Sequence, residues 1–146
     1  MKPKLPSEHP DLNKELRAIM GLFAAEPEAH RIDLAFAMAD DDLLLLVPVC
    51  DVDMEKGDFT FTTVLNAKAG PILNVFTNAK ELPTTIKGPG HEVFGFPFTT
   101  FIWEVKALGF IALVIDPDAS HSVTLYYEGE GFHAYSTQKI REAAEE

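Results

Sequence analysis

The stretch from Phe96 to Ile115, FPFTTFIWEVKALGFIALVI, decides how this chain is arranged. Within it Phe98, Phe101, Ile102, Val105 and Leu108 recur at the spacing of one helical face, with Pro97 near the start and Gly109 just past the end. That spacing predicts a helix, with its apolar series, Trp103 included, turned to the core. FIALVI, residues 110–115, is a short apolar run stopped by Asp116, Pro117 and Asp118, and it reads as a buried strand. A helix that feeds a strand is a crossover, so the strand before it is expected to run parallel to FIALVI in the same sheet.

That earlier strand is ILNVF, residues 72–76, which follows Gly70 and Pro71. Those two turn residues predict a hairpin with FTFTTVLN, residues 59–66, whose two-residue alternation of Phe, Thr and Val marks a strand. LLLLVPVC, residues 43–50, lies between Asp42 and Asp51 and reads as a further buried strand, with Pro48 pushing it toward an edge or a bulge near its end. HSVTLYY, residues 121–127, completes the set after the DPDAS turn, and STQKIREAAEE, 136–146, reads as a short terminal helix. Upstream, Leu12, Leu16, Ile19, Met20 and Phe23 form one helical stripe, and Ile32, Ala35, Phe36 and Ala39 form a second, with Pro27 between them. The expected fold is α/β (α+β): a mixed five-stranded sheet, an amino-terminal helical pair packed as core, and a crossover helix.

The 146 residues fit one domain, 1–146, and 47% hydrophobic residues, including 11 Phe, suffice for a core. A net charge of −11 disfavours nucleic acid and anionic membrane, because affinity for phosphate depends on Lys and Arg displacing counterions. Ten acidic residues between positions 26 and 58 face only Arg31 and Lys56, which reads as a solvated acidic face or a surface for a basic partner. A single Cys, Cys50, excludes an intrachain disulfide and a Cys-based structural zinc site. With no secretory leader and no apolar stretch of about 18 residues, the expectation is a soluble, cytoplasmic protein.

The parallel arrangement places Cys50 and Asp51, Thr77 and Asn78, and Asp116 to Asp118 along one sheet edge, where open α/β sheets bind ligands. Thr77, Asn78, Asp116, Asp118 and Ser120 are therefore candidate ligand-binding residues, offering hydroxyl, amide and carboxylate groups to a small polar metabolite. Asn78 with Glu81 three positions later also has the spacing of a capping box. Phe94, Phe96 and Phe98, beside a Gly- and Pro-rich loop, are candidates for an interaction surface.

Catalytic signatures are absent from the sequence. In DVDMEKGD, 51–58, a calcium loop would need Gly sixth and Glu twelfth, where Lys56 and Thr62 stand. Asp40, Asp41 and Asp42 cannot share an ion with Asp51 and Asp53 across an intervening strand of roughly 26 Å. The acidic neighbours of Cys50 disfavour an activated thiol. The five histidines lack metal-ligand spacing, and neither a phosphate loop nor a dinucleotide-binding glycine pattern occurs. No catalytic residue, metal or cofactor is assigned.

Together LLLLVPV, GPILNVFTNAKEL, the helix before Gly109, FIALVIDPDA and VTLYY resemble the amino-terminal domain of the SseB family, bacterial proteins associated with enhanced serine sensitivity. The likeness covers residues 43–127. The family has Phe-Thr-Ser where Phe76, Thr77 and Asn78 stand, and Asn-Pro where Asp116 and Pro117 stand. The resemblance implies a bacterial, cytosolic α/β domain without established enzymatic chemistry. The expected function is a non-enzymatic protein-interaction or regulatory module, through a protein partner or self-association, with small-metabolite binding as the alternative.

Overall fold

The computed structural model describes residues 13–53, 55–83 and 92–145. The fold is α+β, and the described residues form four α-helices and eight strands in two sheets. Helices α1 (Lys14–Ala25) and α2 (Pro27–Met38) form the amino-terminal pair. Pro27 opens α2, where its missing N–H leaves no helical bond unmade.

Strand β1 (Leu44–Asp53) lies between β2 (Asp58–Phe61) and β5 (Glu92–Pro97), antiparallel to both. The mixed sheet runs β3 (Val64–Ala67), β4 (Gly70–Val75), β6 (Ala112–Ile115), β7 (Val123–Glu128) and β8 (Gly131–Ser136). As the crossover rule requires, β4 and β6 are parallel, and the remaining pairs in this sheet are antiparallel. Helix α3 (Phe98–Ala107) is the crossover, and α4 (Thr137–Glu145) follows β8.

Leu46 and Phe76 exchange two backbone hydrogen bonds, N to O at 2.7 and 2.9 Å, joining the sheets in an antiparallel bridge. Pro48 falls where β1 changes partner from β4 to β2, so its missing donor costs no ladder bond; its carbonyl accepts from Thr62 N at 3.1 Å. Between Cys50 and Asp53 the register shifts in a bulge.

One apolar core takes Leu16, Met20 and Phe23 from α1, Leu45, Val47 and Val49 from β1, and Phe101, Ile102 and Val105 from α3. Leu73 and Val75 of β4, with Leu113 and Ile115 of β6, supply the floor. The Phe96 and Phe101 rings stack at 4.5 Å within it.

Several sequence expectations are corrected. FTFTTVLN is two strands rather than one, broken at Thr62 and Thr63 so that each half joins a different sheet. Phe94, Phe96 and Phe98, candidates for an interaction surface, are buried at 6%, 1% and 2% exposure: β5 pairs with β1 and turns the first two rings inward, and Phe98 opens α3 on its buried face. Strand β8 is an additional edge strand. Helix α2 faces the other way: Leu34 and Met38 point inward, while Ile32, Ala35, Phe36 and Ala39 face out. Leu108 at the end of α3, and Trp103, are exposed rather than core. Leu12, and the loop predicted over 83–92, lie wholly or largely outside the described residues. No helix among the described residues is long and apolar enough to cross a membrane.

Candidate functional site

Where β4 and β6 end, the parallel ladder continues for one more bond, Asp116 N to Val75 O at 2.9 Å. Asp116 then turns at φ +52°, a left-handed conformation that its short polar side chain tolerates. The turn drives its carboxylate back under Thr77, whose N–H donates to Oδ1 at 2.8 Å and whose hydroxyl donates to Oδ2 at 2.6 Å. His121 Nε2 lies 2.7 Å from the same Oδ2. Asp116 is 1% exposed, and its burial is compatible with a carboxylate only because both oxygens are engaged.

Helix α1 closes over this edge. Asn13, at φ 60°, sends Nδ2 to the Leu44 carbonyl at 2.6 Å and the Thr77 carbonyl at 2.8 Å, tying the start of β1 to the end of β4. Arg17 Nη1 reaches Thr77 Oγ1 at 3.4 Å. Asn78 is extended and accepts from Lys80 N at 3.1 Å, capping a single 3-10 turn, Ala79–Glu81. It does the capping work that its spacing predicts, on a shorter helix.

Of the five candidate ligand residues, Thr77, Asn78 and Asp116 are therefore gathered and buried, while Asp118 and Ser120 stand exposed on the rim of the turn. Cys50 and Asp51 are not at this edge. The Leu46–Phe76 bridge is antiparallel, so β1 carries Cys50 about 13 Å past Leu46 toward the far end of the sheet. There the Cys50 thiol meets Asp51 Oδ2 at 3.8 Å, and Asp53 accepts from Glu55 N and Lys56 N to close the β1–β2 turn.

His121, Arg17 and Asn13 carry no motif in the sequence, since their place depends on the path of a turn and of α1. Glu81, Asp116 and His121 bring one ligand atom each within 4.8 Å of one another. A cation there would displace the His121–Asp116 contact and sit close to the Arg17 guanidinium. The geometry is that of an internal polar latch.

A second feature lies on the other side of the helical layer. A cleft of about 330 Å³ opens between α2, α3 and β8, lined chiefly by Leu34, Met38, Phe98, Ile102, Trp103 and Phe132. Arg31, Thr99 and His133 are polar side chains in its lining. Arg31 is anchored by the Ala134 carbonyl at 2.9 Å and Glu28 at 3.0 Å, and its guanidinium lies 5.4 Å from the Phe23 ring centre. That guanidinium holds the exposed Glu28 carboxyl below its ordinary value. Trp103, in the cleft lining, is 45% exposed, and on the outer side of α2 Ile32 is 72% and Phe36 76% exposed.

Comparisons with protein-family models, curated proteins and solved structures find no match for this chain.

Proposed function

We propose that the chain is a non-catalytic protein-interaction module of SseB-like kind, acting in the cytoplasm, and that it docks a polypeptide on the face formed by α2 and α3. One observation carries this reading. Helix α2 has two apolar stripes, and after Leu34 and Met38 fill the core, Ile32 and Phe36 are left in solvent on a helix whose Ala35 and Ala39 line an apolar cleft. Large apolar side chains exposed one turn apart on a helix are the kind of surface that contact sites use. The Phe-rich β5 segment is spent on the core, so the interaction surface belongs to α2.

A photo-crosslinking residue at position 36, in cells expressing the chain, tests the reading. A polypeptide adduct is expected there and not at Leu65, another exposed apolar residue, on edge strand β3. No adduct at position 36, or equal yields at both positions, would overturn it.

The gathering of Glu81, Asp116 and His121 favours a second reading, a small polar ligand at the β4–β6 edge. It ranks lower because Thr77 and His121 already use both oxygens of Asp116. Under it, free amino acids or divalent cations raise the melting temperature and His121→Ala abolishes the rise; no rise leaves only the latch.

A further inference from the structure

Arg31, Leu34, Ala35 and Met38 recur on α2 at i, i+3, i+4 and i+7, one helical face, and all four line the cleft between α2, α3 and β8. Leu34, Phe98 and Ile102 are buried and form its floor, while Trp103 stands part-exposed at its mouth. We propose that this cleft is a binding site for a small aromatic carboxylic acid, which places its ring among Trp103, Phe98 and Phe132 and its carboxylate on Arg31.

The rings of the lining are set to take a flat body. Phe132 meets Phe98 edge-on, with centroids 6.2 Å apart at 90°, and lies 5.8 Å from Trp103 at a tilt of 54°. Both ring faces and ring edges are thus offered to a guest, the two arrangements in which aromatic pairs attract. The volume of about 330 Å³ is at the lower end for ligand pockets, which suits one ring on a short chain rather than a nucleotide-sized cofactor.

The charge selects an acid. Strand β8 is the edge of its sheet, so alternate carbonyls point away from β7, and that of Ala134 accepts from Arg31 Nη1 at 2.9 Å. This bond fixes the guanidinium at the cleft before any ligand arrives. The bonds to Ala134 and to Glu28 Oε1 use two of its five N–H groups and leave donors for an incoming carboxylate. The Glu28 side chain is 86% exposed, so its hold on Arg31 is weak and yields readily to a carboxylate inside the cleft. The chain carries a net charge of −11, yet no acidic side chain lines the cleft among the described residues. Arg31 is permanently charged, and His133 adds positive charge when protonated.

The site is independent of polypeptide docking at position 36, because Ile32 and Phe36 lie outside the lining, and either reading can fail alone. Trp103 is the single tryptophan, so its emission reports occupancy directly. With 3-phenylpropionate as the probe, a saturable change in Trp103 fluorescence is expected, with a Kd of about 0.1–1 mM for a ligand of this size. The neutral 3-phenylpropionamide is expected to bind at least about tenfold more weakly, and hexanoate, which lacks the ring, more weakly than the phenyl acid. Arg31→Gln is expected to lose about tenfold or more for the acid while the weak binding of the amide is unchanged, a split that general damage to the fold would not produce. Glu28→Gln, at an exposed position, is expected to tighten the acid about two- to fivefold by removing the competing carboxylate. Phe36→Asp should bind the probe as the parent does. No response up to about 10 mM, well above the expected range, overturns the proposal. Equal affinity for acid and amide, hexanoate binding as tightly as the phenyl acid, an Arg31→Gln chain that binds the acid as well as the parent, or no gain in Glu28→Gln also overturns it. Loss of binding in Phe36→Asp would put the ligand on the outer side of α2 and overturn it as well.

Discussion

Thr77 gives both of its donors, the backbone N–H and the hydroxyl, to the two oxygens of Asp116, a residue 39 positions later in the chain. This bidentate contact locks the ends of the two parallel strands together. Replacing Thr77 by Val keeps the shape and removes the hydroxyl, leaving one buried carboxylate oxygen with His121 alone. A loss of about 1–3 kcal/mol is expected in urea denaturation. No loss would mean that the hydroxyl contact contributes nothing to the fold.

Asp116→Asn is expected to keep the left-handed backbone, because Asn adopts that region readily, while replacing an acceptor with an NH₂ group facing a hydroxyl and an imidazole. The loss should again be about 1–3 kcal/mol. In a double-mutant cycle with His121→Ala, a coupling of at least about 0.5 kcal/mol is expected. Additive losses would show that the 2.7 Å contact to His121 is energetically silent.

Asn13 provides a test in which the ordinary helix rule gives the wrong answer. Asp is normally as good an amino-terminal cap as Asn. Here, however, the side chain caps nothing and its NH₂ group donates to the Leu44 and Thr77 carbonyls. Asn13→Asp is therefore expected to destabilise more than Asn13→Ala, by placing a carboxylate against two carbonyl oxygens. Comparing the chemical denaturation midpoints of the two variants decides it.

Tyr127 donates its hydroxyl to the Ile102 carbonyl, and burial pushes its ionisation far above that of an ordinary phenol. Ultraviolet titration should show one tyrosine that stays protonated until the chain unfolds. The folded state holds this proton more tightly than the unfolded state does. Its contribution to stability is thus full below the unfolded pKa of about 10 and is lost as pH rises above it. In Tyr127→Phe the fall in stability above that pH should be shallower.

Phe96→Ala removes a ring that is 1% exposed and stacked on Phe101. A loss of about 3–5 kcal/mol is expected. An effect below about 1 kcal/mol, the size seen for surface changes, would be incompatible with β5 as a core strand.

Much of this architecture is legible in the residues, and the failures have physical causes. The helix at Phe98–Ala107 and the strand at Ala112–Ile115 have clear periods, and the crossover rule then orders β4 against β6 and brings Thr77 to Asp116. Periodicity establishes that α2 is a helix but not which side is inside. Leu34 and Met38 are as well spaced as Ile32 and Phe36, and the choice is made by packing against α1 and β8. In FTFTTVLN the two-residue alternation runs straight through the kink at Thr62 and Thr63, so the split leaves no trace in the pattern. Strand β5 holds Gly95 and Pro97 and follows a stretch rich in turn residues; its partner is a strand distant in sequence, and only that pairing makes it a strand. For β8 a signal did exist, the EGEG turn at 128–131 between Tyr127 and Phe132. His121 and Arg17 could be placed at the latch only by knowing the path of a turn and the seating of a helix.

The order of closure in the sheets has a kinetic consequence. The β1–β2, β3–β4, β6–β7 and β7–β8 pairs join neighbours in sequence, whereas the β1–β5 and β4–β6 pairs each enclose a long intervening segment. Loop closure for these central pairs must be met before their contacts reward it, so the locally paired strands are expected to wait on one slow docking event. Substitutions in the hairpin turns should then change the unfolding rate little. Those at Leu46, Phe76 and Asp116, where distant segments are fastened, should chiefly set how fast the chain folds.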